Sequence, residues 1–174
     1  MTAKKLCRMN ERMIRVLFVC HGNICRSPMA EFIFRDIVRR EGLEGEVEAL
    51  SAGTSAEELG NSVYPEARAY LRRLGIDAGG KRARVITRAD FDEFDLIVAM
   101  ERYNVRNLAR FCPPGGLEKM RLLRDFTDSP GDIEDPWYSG NFDRVGDQIR
   151  AGCEGLLEWL RGQYPFLRKK RGKS

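Results

Sequence analysis

Histidine is almost missing from this chain: His21 stands alone among 174 residues. With one histidine and no Cys-x-x-Cys pair, a structural zinc site lacks its usual ligands. Cysteine is sparse as well. Cys7, Cys20, Cys25, Cys112 and Cys153 make an odd, irregularly spaced set of five. That excludes the disulfide framework of a small secreted domain. Long apolar runs are lacking too. The longest, residues 16–20 and 96–100, have the length of buried strands, against the roughly 20 residues that a membrane-spanning helix needs. The first dozen residues are polar with no apolar stretch behind them, so no secretory signal is read there. Internal repeats and low-complexity blocks are also absent. These features predict a soluble cytoplasmic protein with no membrane span, no metal and no other cofactor.

What is present fits one domain. Hydrophobic residues make up 43% of the chain, enough for a real core. The net charge is +4, but it is uneven: residues 1–15 carry +4, residues 168–173 carry +5, and residues 16–167 carry −5. A nucleic-acid-binding domain places its basic residues on a folded face. Here they sit at the two ends, so nucleic acid is not expected as a partner. The reading is a domain over 13–165, an N-terminal extension over 1–12 and a basic tail over 166–174, both ends being solvated.

Residues 14–20 are apolar and β-branched apart from Arg15, which predicts a strand buried on both faces. A helix follows over 27–40, with Ser27 as its N-cap, Pro28 in the first turn and Gly42 past its end. Further strands are expected at 47–50, 96–100 and 120–123. Helices are expected at 65–74 and 101–111, with a short helical turn at 91–94 and a loop at 113–116. Phe142, Val145, Ile149, Cys153, Leu156 and Leu160 recur at spacings of three and four and mark a last helix over 142–160. Strands alternating with helices predict an α/β fold, a parallel sheet covered on both faces. Ligands bind such sheets at the carboxyl ends of the strands, where Cys20 lies.

Cys20-His21-Gly22-Asn23-Ile24-Cys25-Arg26-Ser27 joins the first strand to the first helix. Cleaving a phosphate ester with sulfur needs a thiolate, donors for three phosphate oxygens and a fixed positive charge. A short loop at a helix N-terminus turns several backbone N–H groups toward an anion, helped by the helix dipole. Gly22 would adopt a backbone angle closed to other residues. Asn23 tolerates the left-handed region and ties the loop to itself. The Arg26 guanidinium grips two phosphate oxygens at once. Ser27 donates to the thiolate, and the donors that hold phosphate also hold the sulfur anion. Cys20 alone would read as a small residue ending a core strand. The whole eight-residue string at a strand–helix junction overrides that reading.

The stretch from Val16 through Cys20-His-Gly-Asn-Ile-Cys-Arg-Ser-Pro-Met-Ala to Glu31 resembles the signature of the low-molecular-weight protein tyrosine phosphatases. The likeness runs from about residue 13 to 160 and includes, in the family's order, Ser51-Ala-Gly-Thr54, Lys81-Arg-Ala-Arg84, Phe94-Asp-Leu-Ile-Val-Ala-Met100 and Asp135-Pro-Trp-Tyr138. The resemblance implies a three-layer, doubly wound, flavodoxin-like fold with a four-stranded parallel sheet and helices on both faces. It implies metal-independent hydrolysis of phosphotyrosine in proteins or peptides through a phosphocysteine on Cys20. Phosphate, sulfate or vanadate would bind in the loop. Apart from the resemblance, a monomer is expected.

The family takes its acid from an Asp-Pro loop near the C-terminus, and Asp135-Pro136 is the match. Clustering of Asp128, Asp132 and Glu134 around it would help Asp135 keep a proton. Trp137 and Tyr138 would wall the pocket and sandwich a phenyl ring. The resemblance further implies that Cys25 forms a disulfide with Cys20 under oxidation. It also implies that Ser51 hydrogen-bonds Asn23. Several relatives carry a histidine where this chain has Lys81, which leaves that support for the loop open. His21 lies at the pocket rim. The alternatives are a protein-arginine phosphatase or thiol arsenate reductase on the same fold, a phosphocysteine carrier of a sugar transport system, and a non-catalytic phosphopeptide-binding module.

Overall fold

Four segments extend into strands: β1 (Ile14–Cys20), β2 (Val47–Gly53), β3 (Leu96–Ala99) and β4 (Met120–Leu122). They pair in parallel, in the order β2-β1-β3-β4. The computed structural model describes residues 13–168. Cys7, the N-terminal extension over 1–12 and residues 169–174 lie outside that range.

The helices are α1 (Arg26–Arg40), α2 (Pro65–Arg73), α3 (Asp90–Glu93), α4 (Arg102–Leu108), α5 (Pro136–Ser139) and α6 (Phe142–Gln163). Side chains alternate across a strand, so β1 feeds two cores. Ile14, Val16, Phe18 and Cys20 point into the larger one, closed by α1, α2 and α6. Leu17 and Val19 point into the other, closed by α3 and α4. Burial on both faces is what the near-continuous apolar run of β1 requires. Phe18 meets Phe34 of α1 edge to face, with ring centroids 5.6 Å apart. Such a pair contributes about 1 kcal/mol beyond its area. On the same side, Tyr70 of α2 donates to Asp147 of α6 at 2.9 Å. Burial, and then that bond, push the Tyr70 phenol up to about 12.

The three-layer, doubly wound architecture expected from the sequence is the one observed. Several details differ. Strand β2 continues to Gly53, because Ser51, Ala52 and Gly53 pair with the last three residues of β1. Helix α4 ends at Leu108 rather than 111, where turns replace it. Leu167 is fully buried in the larger core, so the folded unit extends past residue 165. Helix α1 begins at Arg26 with Cys25 at the N-cap position, so Ser27 is inside the first turn and does not cap the helix. Its hydroxyl is engaged by Cys20 and Asn23 instead.

The chain leaves β1 for β2 on one side and later enters β3 on the other side. Strand order therefore reverses beside β1, which opens a crevice at the carboxyl end of the sheet. Cys20 is the last residue of β1 and stands at that crevice.

Candidate active site

The loop over 21–25 turns tightly from β1 into α1, and its sharpest residue is Asn23, with φ of 60°. This corrects the expectation for Gly22, which is not in the positive-φ region. Gly22 is small for another reason: a Cβ there would approach Glu58 Cγ to 3.2 Å. Asparagine tolerates the left-handed conformation when its carboxamide is tied down, and here every arm of it is. Its Oδ1 accepts from the Arg84 backbone N–H at 3.0 Å. Its Nδ2 donates to Ser27 Oγ at 2.8 Å and to Ser51 Oγ at 2.9 Å.

Those bonds leave the protons of both hydroxyls available to other acceptors. Ser27 Oγ accepts from Asn23, so its own proton is free for Cys20 Sγ, 3.0 Å away. The Asn23 backbone N–H donates to the same sulfur at 3.3 Å. Ser51, for its part, donates to Glu31 Oε1 at 2.6 Å. Cys20, Asn23, Ser27, Ser51 and Glu31 thus form one buried chain of hydrogen bonds ending at sulfur.

Glu31 is 1% exposed, and a buried carboxylate needs cations around it. Arg35 lies 2.9 Å from it and Lys81 3.4 Å. Lys81 also donates to the Ser51 carbonyl at 3.1 Å. Lys81 therefore braces the loop network. Burial pulls the Lys81 ammonium below its usual range, while Glu31 opposes that shift.

Arg26 is 1% exposed despite its charge. Its Nη1 donates to the Ile133 carbonyl at 2.8 Å and lies 3.4 Å from Glu101 Oε2. Its Nη2 donates to Glu101 Oε1 at 3.5 Å and lies 3.5 Å from Asp135 Oδ2. A carbonyl and a carboxylate thus hold one edge of the guanidinium and fix its plane, which a bidentate grip on an oxyanion requires.

Asp135 caps α5, its Oδ1 accepting from the Trp137 N–H at 3.0 Å. The charge within ion-pairing reach of Asp135 is the Arg26 guanidinium, not the acidic neighbours that the sequence suggested. Two of those neighbours have other partners: Asp132 accepts from the Arg102 N–H, and Glu134 faces Arg144 at 3.9 Å. Trp137 is half exposed and packs on Tyr64, with centroids 4.9 Å apart, whereas Tyr138 is 86% exposed. His21 is at the rim, 3.2 Å from Glu57, with its ring facing Tyr103. Cys25 lies beneath the loop beside Ile24 and Ala83. Burial, and then the proximity of Cys20, push the Cys25 thiol up, so it stays protonated.

The fold brings Cys20, Asn23, Ser27 and Ser51 together, and Arg26 with Asp135. Sequence reasoning missed Glu31, Glu101, Tyr64 and Gly53. Glu31 carried a signal, a charge on the apolar face of α1. Glu101 carried another, its place just past the carboxyl end of β3. Gly53 approaches the loop so closely that a Cβ would sit 2.7 Å from the His21 carbonyl oxygen.

A family model described as low molecular weight phosphotyrosine protein phosphatase matches residues 15–165. The chain is 44% identical over 147 residues to the low molecular weight protein-tyrosine-phosphatase YfkJ of Bacillus subtilis, covering 83% of this chain and 94% of that one. It is 43% identical over 138 residues to the low molecular weight phosphotyrosine protein phosphatase of Schizosaccharomyces pombe, covering 77% and 86%. The crystal structure of YfkJ matches with a TM-score of 0.84 at 42% identity, covering 87% of this chain and 97% of that one. A protein tyrosine phosphatase of Entamoeba histolytica, solved with Hepes in its active site, matches with a TM-score of 0.81 at 31% identity, covering 86% and 98%. The chain belongs to the low molecular weight phosphotyrosine protein phosphatase family.

Proposed function

We propose that the protein hydrolyses phosphotyrosine in proteins or peptides, without a metal, through a phosphocysteine on Cys20. The observation that carries this reading is the pair of donors at Cys20 Sγ, the Ser27 hydroxyl at 3.0 Å and the Asn23 N–H at 3.3 Å. The sulfur anion attacks phosphorus, and the bond from phosphorus to the tyrosine oxygen breaks. Asp135 gives its proton to the leaving phenoxide. The Arg26 guanidinium and the loop N–H groups take the charge of the phosphoryl oxygens as it grows. Asp135, now ionised, removes a proton from a water that attacks the phosphocysteine. Inorganic phosphate leaves, and the thiolate returns. Phosphate, sulfate and vanadate fit the same donors. Trp137, Tyr138 and His21 border the substrate ring.

No helix among the described residues is long and apolar enough to cross a membrane. We place the protein in the cytoplasm, where free thiols stay reduced, acting as a monomer. The test is hydrolysis of matched phosphotyrosine and phosphoarginine peptides in the presence of a chelator. Phosphotyrosine should be preferred by about tenfold or more in kcat/KM. A preference for phosphoarginine would replace this substrate assignment and leave the nucleophile standing.

Cys25 has a second role under oxidation. Peroxide converts the Cys20 thiolate to a sulfenic acid. The Cys25 sulfur then displaces that hydroxyl, and the thiol proton leaves with it as water, giving a disulfide. Because burial holds Cys25 protonated, closure should quicken as pH rises. Mild peroxide should inactivate the enzyme, and thiol should restore it. In Cys25→Ser, recovery should fall severalfold. Equal recovery in both proteins would reduce Cys25 to a packing residue.

A further inference from the structure

A second concavity lies beside the phosphate loop. It is a cleft of about 490 Å³ bordered by Ile24, Tyr64, Trp137 and three arginines, Arg68, Arg72 and Arg82. Arg68 and Arg72 stand four residues apart on α2 and so share a face. Arg82 arrives from the segment that bridges to Ser62.

Three cations nearby in the sequence have carboxylate partners. Arg73 pairs with Asp143, Lys81 with Glu31 and Arg84 with Asp90. Arg68, Arg72 and Arg82 have none among the described residues. One carboxylate lines the cleft, that of Glu58, and it accepts from Asn61 Nδ2 at 2.6 Å. Three guanidiniums against one carboxylate leave the cleft positive, on a domain whose residues 16–167 sum to −5.

The cleft also joins the reaction centre. The Ile24 carbonyl within the phosphate loop accepts from the Tyr64 N–H at 2.9 Å. The Tyr64 ring packs on Trp137, two residues after the acid. Ile24 of the phosphate loop and this aromatic pair line the cleft together with the arginines.

We propose that the cleft is a substrate subsite for aspartate and glutamate side chains flanking the phosphotyrosine. The arginines come from two segments, Arg68 and Arg72 from α2 and Arg82 from the stretch that bridges to Ser62, which suits several carboxylates along a peptide. The inference rests on the phosphotyrosine phosphatase reading of the Cys20 site, and it adds a specificity which that reading does not contain.

The test compares four substrates with the full chain: nitrophenyl phosphate, a neutral phosphotyrosine peptide, the same peptide with flanking glutamates, and the same peptide with a second phosphotyrosine. The glutamate peptide should exceed the neutral one by about tenfold in kcat/KM, mainly through KM, which corresponds to about 1.4 kcal/mol. The advantage should shrink as salt rises. In Arg68→Gln/Arg72→Gln/Arg82→Gln, the ratio between the two peptides should fall toward one. Equal kcat/KM for the neutral and glutamate peptides, with nitrophenyl phosphate turned over normally, overturns the subsite and spares the catalytic reading. An advantage from a second phosphotyrosine but none from glutamates overturns the carboxylate assignment. No turnover of nitrophenyl phosphate overturns the catalytic reading, and the subsite falls with it.

Discussion

Cys20→Ser is expected to lose measurable turnover of every aryl phosphate while still binding inorganic phosphate. The serine hydroxyl would keep the hydrogen bonds from Asn23 and Ser27 but would remain un-ionised, because its proton is far harder to remove than that of a thiol. Binding relies on the loop N–H groups and Arg26, which the substitution leaves in place. Arg26→Lys should be nearly as severe, with kcat falling by about 10²–10³-fold. The ammonium is a point charge. It cannot hold the Ile133 carbonyl and Glu101 with one edge and present two parallel donors with the other. Titration with phosphate, run beside the kinetics, separates lost chemistry from lost folding. Substantial activity in Cys20→Ser would end the thiol mechanism.

Asp135→Asn should slow the first chemical step in proportion to the basicity of the leaving group. Nitrophenyl phosphate releases a stable anion and barely needs a proton. A phosphotyrosine peptide releases a more basic phenoxide and needs one. Formation of the phosphocysteine should therefore fall by about 10²-fold more on the peptide than on the activated ester. Burst kinetics should be followed, because hydrolysis of the intermediate also loses its base and then limits steady-state turnover. Asparagine is nearly isosteric and keeps an oxygen to accept the Trp137 N–H, so the α5 cap should survive. Asp132→Asn and Glu134→Gln are the controls: their carboxylates face Arg102 and Arg144, away from the Arg26 guanidinium. If either shows the leaving-group dependence and Asp135→Asn does not, the acid has been assigned to the wrong residue.

Much of this was legible before the structure, and the reason is local. Strand β1, the loop and α1 are contiguous in the chain, so the apolar run, the eight-residue string and the following helix could be read together. Asn23, Ser27 and Cys20 are close in sequence as well as in space. What escaped notice depends on contacts across the sheet. Glu101 reaches Arg26 because β3 lies beside β1, an adjacency that residue spacing does not encode. Tyr64 meets Trp137 only because α2 and α5 flank the same loop. The misreadings of Gly22 and Ser27 share one cause. Both residues fit a general role, a flexible turn or an N-cap, and other contacts took them elsewhere: Glu58 limits the space at Gly22 across the fold, and Cys20 and Asn23 within the loop claim the Ser27 hydroxyl. The acidic neighbours of Asp135 were misjudged in the same way, since a run of carboxylates in sequence says nothing of the arginines that α4 and α6 bring to them.

The claim at the centre of this account is that phosphate passes through sulfur, and a trapped intermediate tests it most directly. The wild-type protein should be mixed with a radiolabelled phosphotyrosine peptide, quenched within the first turnover and digested, and the labelled fragment sequenced by mass spectrometry. One phosphoryl group is expected, attached to Cys20, accumulating more in Asp135→Asn when an activated aryl phosphate is the donor. A protein that releases phosphate with no covalent label, or with the label on any residue other than Cys20, would contradict it.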